Sequence, residues 1–146
     1  MNAEKKRNLI TIVFDEELRS LLQDFISGDE YGVESAQDGL DAFHKLAKKY
    51  FDLIITDFQM PGLGGVNLLP RLRMIQPWAR VIVIPTAKVK RGQRKIIESA
   101  ADACLERPFE VGQLRTTIQK MFVGVEDKAV PTEEGLKPGS LSLEVG

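Results

Sequence analysis

Phe51-Asp52-Leu53-Ile54-Ile55-Thr56-Asp57-Phe58-Gln59-Met60-Pro61 is the stretch on which the reading of this chain turns. A short apolar run, rich in isoleucine, ends in one carboxylate, Asp57. A Met-Pro turn and the glycines Gly62, Gly64 and Gly65 follow at once. A run this short, bounded by turn signals, reads as a strand buried on both faces. Such strands belong to parallel sheets covered by helices, and ligands of those sheets sit at the carboxyl ends of the strands. Asp57 is therefore a candidate for chemistry; the alternative is an aspartate that only caps the next turn.

The surroundings agree with one soluble α/β domain. The chain has 146 residues, a net charge of −1, 43% apolar and 28% charged residues. A chain of that length buries roughly two-thirds of its unfolded surface and needs no staples. The lone cysteine, Cys104, excludes an internal disulfide framework and suits a reducing, cytoplasmic setting. Leu9 to Phe14 is too short for a signal peptide or a membrane span. The balanced charge argues against wholesale nucleic-acid binding and leaves room for a local basic patch.

Working outward, apolar runs and amphipathic periods alternate. Leu9 to Phe14 reads as a first strand closed by Asp15 and Glu16. Leu18, Leu21, Leu22, Phe25 and Ile26 mark a first helix that ends at Gly28. Tyr31 to Ala36 is a second strand. Asp38 is the expected N-cap of a second helix with Leu40, Phe43, Leu46, Ala47 and Tyr50 on its inner face. His44, the only histidine, points away from that face and reads as solvated. After the glycines, Val66, Leu68, Leu69, Leu72 and Ile75 mark a third helix. Its N-cap is expected at Asn67, because Pro70 is tolerated only in a first turn. Val81 to Ile84 is a fourth strand, stopped by Pro85 and Thr86. Lys88 to Ala101 reads as a fourth helix, Ala103 to Leu105 as a fifth strand, and Val111, Leu114, Ile118, Met121 and Phe122 as a fifth helix. From Gly124 the period fades, so 1–124 is expected to be the domain and 125–146 a tail or linker stub.

Five strands alternating with five helices over short connections imply a doubly wound parallel sheet. Right-handed crossovers place all strand carboxyl ends on one edge. Asp15, Asp57, Thr86 and Arg107 then share that edge, an acidic pair with a hydroxyl and a cation.

These residues resemble the receiver domain of bacterial two-component response regulators. The resemblance covers roughly 8–123. It rests first on Asp57-Phe58-Gln59-Met60-Pro61 with Gly65, then on Asp38-Gly39, Thr86-Ala87, Ala101-Asp102 and Arg107-Pro108-Phe109. It implies a flavodoxin-like five-stranded sheet of order 2-1-3-4-5. It also implies that Asp57 accepts a phosphoryl group from a histidine kinase or a small phosphodonor, with Mg²⁺ to neutralise charge. Asp15, Asp57 and the Gln59 backbone carbonyl would be the Mg²⁺ ligands, with Glu16 a substitute through its extra methylene. Thr86 would bond a phosphoryl oxygen, Arg107 would neutralise phosphoryl charge, Ala87 would leave room for the donor, and the bond to Pro108 would be cis.

Several positions depart from the family pattern. Receivers usually carry two adjacent acids at the end of the first strand; here Phe14 replaces the first if Asp15 is the second. Aligned by the first helix instead, Asp15 falls one place later and neither acid is in position. The usual lysine is Arg107, a planar fork in place of a point charge. The usual aromatic switch is Cys104, read as a small buried cysteine, so the relay from Thr86 to an aromatic ring is lost. Lys88, Lys90, Arg91, Arg94 and Lys95 form either a solvated helix face or a docking surface for an acidic partner or nucleic acid. No aromatic is interleaved among them, which argues against stacking on single-stranded nucleic acid, and nucleic acid is not the expected partner of this domain. The resemblance also suggests a homodimer through the fourth helix, fifth strand and fifth helix. Three functions follow: a phosphoaccepting receiver, a pseudo-receiver that only binds partners, and an unrelated α/β enzyme or flavin binder. The last lacks a glycine-rich first loop and a catalytic histidine.

Overall fold

The computed structural model describes residues 7–26, 31–58, 68–85 and 87–123. Gly28, Gln59, Asn67, Thr86 and the 125–146 segment lie outside them. The elements run β1 (Arg7–Ile12), α1 (Glu16–Ile26), β2 (Tyr31–Ala36), α2 (Gly39–Leu46), β3 (Leu53–Thr56), α3 (Leu68–Ile75), β4 (Arg80–Val83), α4 (Arg91–Ala100), β5 (Ala103–Cys104) and α5 (Val111–Phe122). The strands form one parallel sheet in the order β2-β1-β3-β4-β5, the flavodoxin-like arrangement expected.

Strand alternation splits the core in two. Ile10, Ile12, Ile54, Val81 and Val83 face one layer with Ala42 and Leu46 of α2, Leu69 and Leu72 of α3, and Ile97 of α4. Leu9, Leu53, Ile55 and Ile82 face the other, with Leu18 and Leu22 of α1 and Leu114 and Ile118 of α5. Consecutive side chains point to opposite faces, so an unbroken apolar run is what a sheet covered on both sides requires.

Two aspartates pin the lower edge of the sheet in the same way. Asp52 precedes β3; its N–H donates to the Asn8 carbonyl at 2.8 Å and its carboxylate accepts the Asn8 N–H at 2.7 Å. Asp102 precedes β5 and makes the same exchange with Val81, at 2.8 Å each way. Arg73 of α3 then donates to Asp102 at 2.7 Å and to the carbonyls of Ala100 and Ala79. Buried Gln76 closes the α2 end: its amide donates to the Leu46 and Lys49 carbonyls, and its Oε1 accepts the Phe51 N–H at 2.8 Å.

Local signals held where they were local. The Asp38 side chain caps α2, accepting from the Asp41 N–H at 2.8 Å. Pro70 is the third residue of α3, inside its first turn. His44 is exposed. Other expectations need correction. Leu21, Leu40 and Ala47 are exposed, because α1 and α2 each bury a narrower stripe than the sequence period suggested. The fourth helix begins at Arg91, three residues later than read, because the Gln93 side chain accepts the Lys90 N–H at 2.9 Å and closes the helix start there. Cys104 is exposed, since β5 is a two-residue edge strand.

Gln76→Ala is expected to lower the unfolding free energy by about 2–4 kcal/mol, because it strands buried backbone groups. Thr11 carries a fully buried hydroxyl with no hydrogen-bond partner among the described residues. Thr11→Val is therefore expected to be neutral or stabilising by up to about 1 kcal/mol. Urea unfolding with unchanged slope reads both; a destabilising Thr11→Val would show that the hydroxyl is satisfied.

Candidate functional site

Asp57 follows β3 directly and is 2% exposed. Its backbone N–H donates to the Ile12 carbonyl at 3.1 Å, and its carbonyl accepts the Thr56 hydroxyl at 2.9 Å. Beside its side chain lies an open recess of about 10 Å³, room for one water, walled by Phe58, Pro85 and Ala87 and bordered by Lys88, Val89 and Gln93. Asp57 thus stands where the strand-end reading put it, at the floor of a shallow opening on the carboxyl edge.

The register decides what stands next to it. Ile12 pairs with Thr56, so the next residue, Val13, comes opposite Asp57. Val13 is fully buried in the layer under α1 and α5. Phe14 follows and is 61% exposed. Asp15 comes two residues after Val13 and serves the helix: its Oδ1 accepts the N–H groups of Glu17 at 2.9 Å and Leu18 at 3.3 Å, an N-cap for α1. Its Oδ2 lies 3.5 Å from Arg107 Nη2. Glu16 is the exposed first residue of α1. Arg19 donates to the Val13 carbonyl at 2.7 Å and more weakly to that of Phe14, tying the loop down.

Arg107 precedes a cis peptide bond to Pro108. Both members of the Asp15–Arg107 pair are about one-third exposed, so the pair contributes about 0–1 kcal/mol. The structure brings Asp15 and Arg107 to each other. Gln59 and Thr86 lie outside the described residues.

Mg²⁺ takes near-octahedral oxygen ligands and keeps several waters, so one or two carboxylates beside a backbone carbonyl suffice. Among the described residues no three of His, Cys, Asp and Glu come together. The β1 residues beside Asp57 are hydrocarbon, and both oxygens of Asp15 are engaged. Gln59, whose backbone carbonyl is the third expected ligand, lies outside the described residues.

On the α4–β5 side, Arg94 meets Glu106 at 3.1 Å. Partial burial pushes the Cys104 thiol up from its ordinary range; Glu106 adds to this and Arg94 opposes it. Lys88 lies in the loop before α4 and borders the Asp57 recess, a placement that reading it as a helix-face residue missed. Gln93, three residues after Lys90, was the available signal for a later helix start.

A buried aspartate at the end of the third of five parallel strands, in a sheet of order 2-1-3-4-5, is the arrangement of a receiver-type domain. The response regulator receiver domain family matches residues 10–119, and the chain belongs to that family. It is 29% identical over 129 residues to the chemotaxis protein CheY-3 of Vibrio cholerae, covering 84% of this chain and 98% of that one. It is 29% identical over 111 residues to the sensor histidine kinase RcsC of Escherichia coli, covering 75% of this chain and 12% of that protein. The chain thus spans about an eighth of the kinase. Among solved structures, a CheY-like receiver domain from Methanospirillum hungatei superposes with a TM-score of 0.78 at 17% identity, over 86% of this chain and all of that one. No helix among the described residues is long and apolar enough to cross a membrane.

Asp15→Ala is expected to cost about 1 kcal/mol through the lost cap. Asp15→Asn keeps the cap oxygen, so it is expected to cost less than about 0.5 kcal/mol. Equal losses in denaturant unfolding would shift the weight to the Arg107 pair. The raised thiol predicts slower iodoacetamide alkylation of Cys104 than of free cysteine at the same pH, with the rate still climbing at a higher pH. Alkylation at the free-cysteine rate would show an unperturbed thiol.

Proposed function

We propose that this chain is an atypical receiver of a two-component system, one that signals through partner binding without Mg²⁺-dependent phosphotransfer. The observation that carries this reading is the β1 end. Val13, the residue after Ile12, stands opposite Asp57, Phe14 beside it is exposed, and Asp15 caps α1 and pairs with Arg107. Phosphoryl transfer is chiefly positioning and charge neutralisation. Among the described residues the β1 end sets hydrocarbon beside Asp57, which supplies little of that neutralisation. Similarity to CheY-3 and to part of RcsC supports a sensor histidine kinase or a phosphotransfer protein as the kind of partner, in a cytoplasmic setting.

A second reading, the phosphoacceptor, draws on Asp57 itself. Its place at the end of β3, under an open recess, is that of a carboxylate nucleophile. In that reading Asp57 attacks the phosphorus of a phosphohistidine or acyl phosphate, the bond to the donor breaks, and the donor leaves with its electron pair. Arg107 would have to leave Asp15 to face the added charge, and Thr86 would supply a hydroxyl.

Incubation with acetyl phosphate, with and without Mg²⁺, separates the two when intact mass is read. The expected result is no Asp57-dependent gain of a phosphoryl group, with Mg²⁺ making no difference. Stoichiometric labelling that needs Mg²⁺ and is lost in Asp57→Asn would overturn the binding-only reading.

A further inference from the structure

β2 closes one end of the sheet and pairs with β1 alone. At six residues it matches β1 as the longest of the described strands. A long edge strand is a template for another strand unless something guards it. The Val13 N–H donates to the Ala36 carbonyl at 3.3 Å, so Ala36 turns its backbone groups to β1. Backbone groups alternate along a strand. Gly32 and Glu34 therefore face β1 as well, while Val33 and Ser35 turn theirs to the open side.

A side chain from α2 occupies that side. The Lys45 ammonium donates to the Ser35 carbonyl. It also lies 3.6 Å from Asp41, one helical turn earlier. A turn further on, Lys49 pairs with Glu34 of β2 at 2.9 Å. Both lysines thus set charge along the edge, and Lys45 is the one that holds its backbone. The Asp41–Lys45 pair is about one-third exposed on each side, and a pair of that kind adds little to a helix. The contact with Ser35 is the specific one.

We propose that Lys45 gates the β2 edge, and that the strand it holds off is β2 of a second copy of this chain. The edge is self-complementary. Antiparallel pairing about a two-fold axis through Val33 sets Val33 against Val33, Ser35 against Tyr31 and Glu34 against Gly32 of the second copy. No like charges fall directly opposite each other, and Glu34 faces a residue without a side chain, so it keeps Lys49. The pairing needs the Ser35 carbonyl for the N–H opposite it, and that carbonyl is the one Lys45 holds. An ammonium trapped inside the joint would also lose its water. Lys45 keeps the edge closed, and loss of its charge and donor opens it. This edge is separate from the Asp57 recess and from α4, β5 and α5, and the gate does not depend on whether Asp57 takes a phosphoryl group.

Sedimentation velocity on the full chain over a concentration series tests the gate. Lys45→Met, similar in length and unable to donate, is expected to self-associate at least about tenfold more tightly than wild type. Lys45→Arg keeps charge and donor and is expected to match wild type. Lys120→Met removes the same charge at an exposed site on α5 and is also expected to match wild type. Val33→Pro removes an outward N–H and no bond to β1, a change that edge strands tolerate. Lys45→Met/Val33→Pro is therefore expected to return to the wild-type state, with circular dichroism to show that it is folded. Amide hydrogen exchange in Lys45→Met is expected to slow at 31–36 as concentration rises, a readout that needs no proline variant. The proposal is overturned if Lys45→Met associates no more than wild type, or if Lys45→Arg or Lys120→Met gains as much. Association that persists in a folded Lys45→Met/Val33→Pro also overturns it, as does slowed exchange confined to α4, β5 and α5.

Discussion

The pairing of β1 with β3 sets what chemistry the carboxyl edge can offer. Ile12 aligned with Thr56, and the Asp57 N–H bonded to the Ile12 carbonyl, bring the residue after Ile12 up against Asp57. A register in a sheet buried on both faces cannot slip by one residue without turning every apolar side chain to the wrong layer. Leu9, Ile10, Ile12 and Val13 are all fully buried, so the register is held by the whole core. Val13 beside Asp57 is therefore a consequence of packing.

Two alignments of the first loop are readable in the sequence. Counted from the strand, Asp15 passes for the second of a pair of acids. Counted from the helix, it is a cap. Caps are set by the backbone N–H groups they serve, and the N–H groups of Glu17 and Leu18 are satisfied by Asp15 Oδ1. Arg107 then finds its nearest carboxylate in Asp15. The family's usual charge pattern, several acids around one cation, becomes a buried aspartate on one side and a partly exposed ion pair on the other.

Much of the fold was legible because its signals were local. The isoleucine run into Asp57, the Asp38 cap and the first-turn Pro70 each needed only a few neighbours in sequence. What escaped depended on partners far along the chain. Gln76 answers Phe51, Leu46 and Lys49 across 25–30 residues, and Asp102 answers Val81 across 21; neither residue type announces that role. The exposure of Cys104 follows from β5 being a short edge strand, a property of sheet order rather than of the peptide around it. Leu21 and Leu40 fit a helical period and still face outward, because period gives the spacing of a stripe and packing gives its width.

The late start of α4 has the widest reach. Had the helix begun at Lys88, that lysine would sit on an outer turn away from Asp57. Because Gln93 closes the helix at Lys90, Lys88 stays in the loop and borders the Asp57 recess. On the β1–α1 side Asp15 caps the helix and meets Arg107, while Glu16 and Glu17 stand exposed.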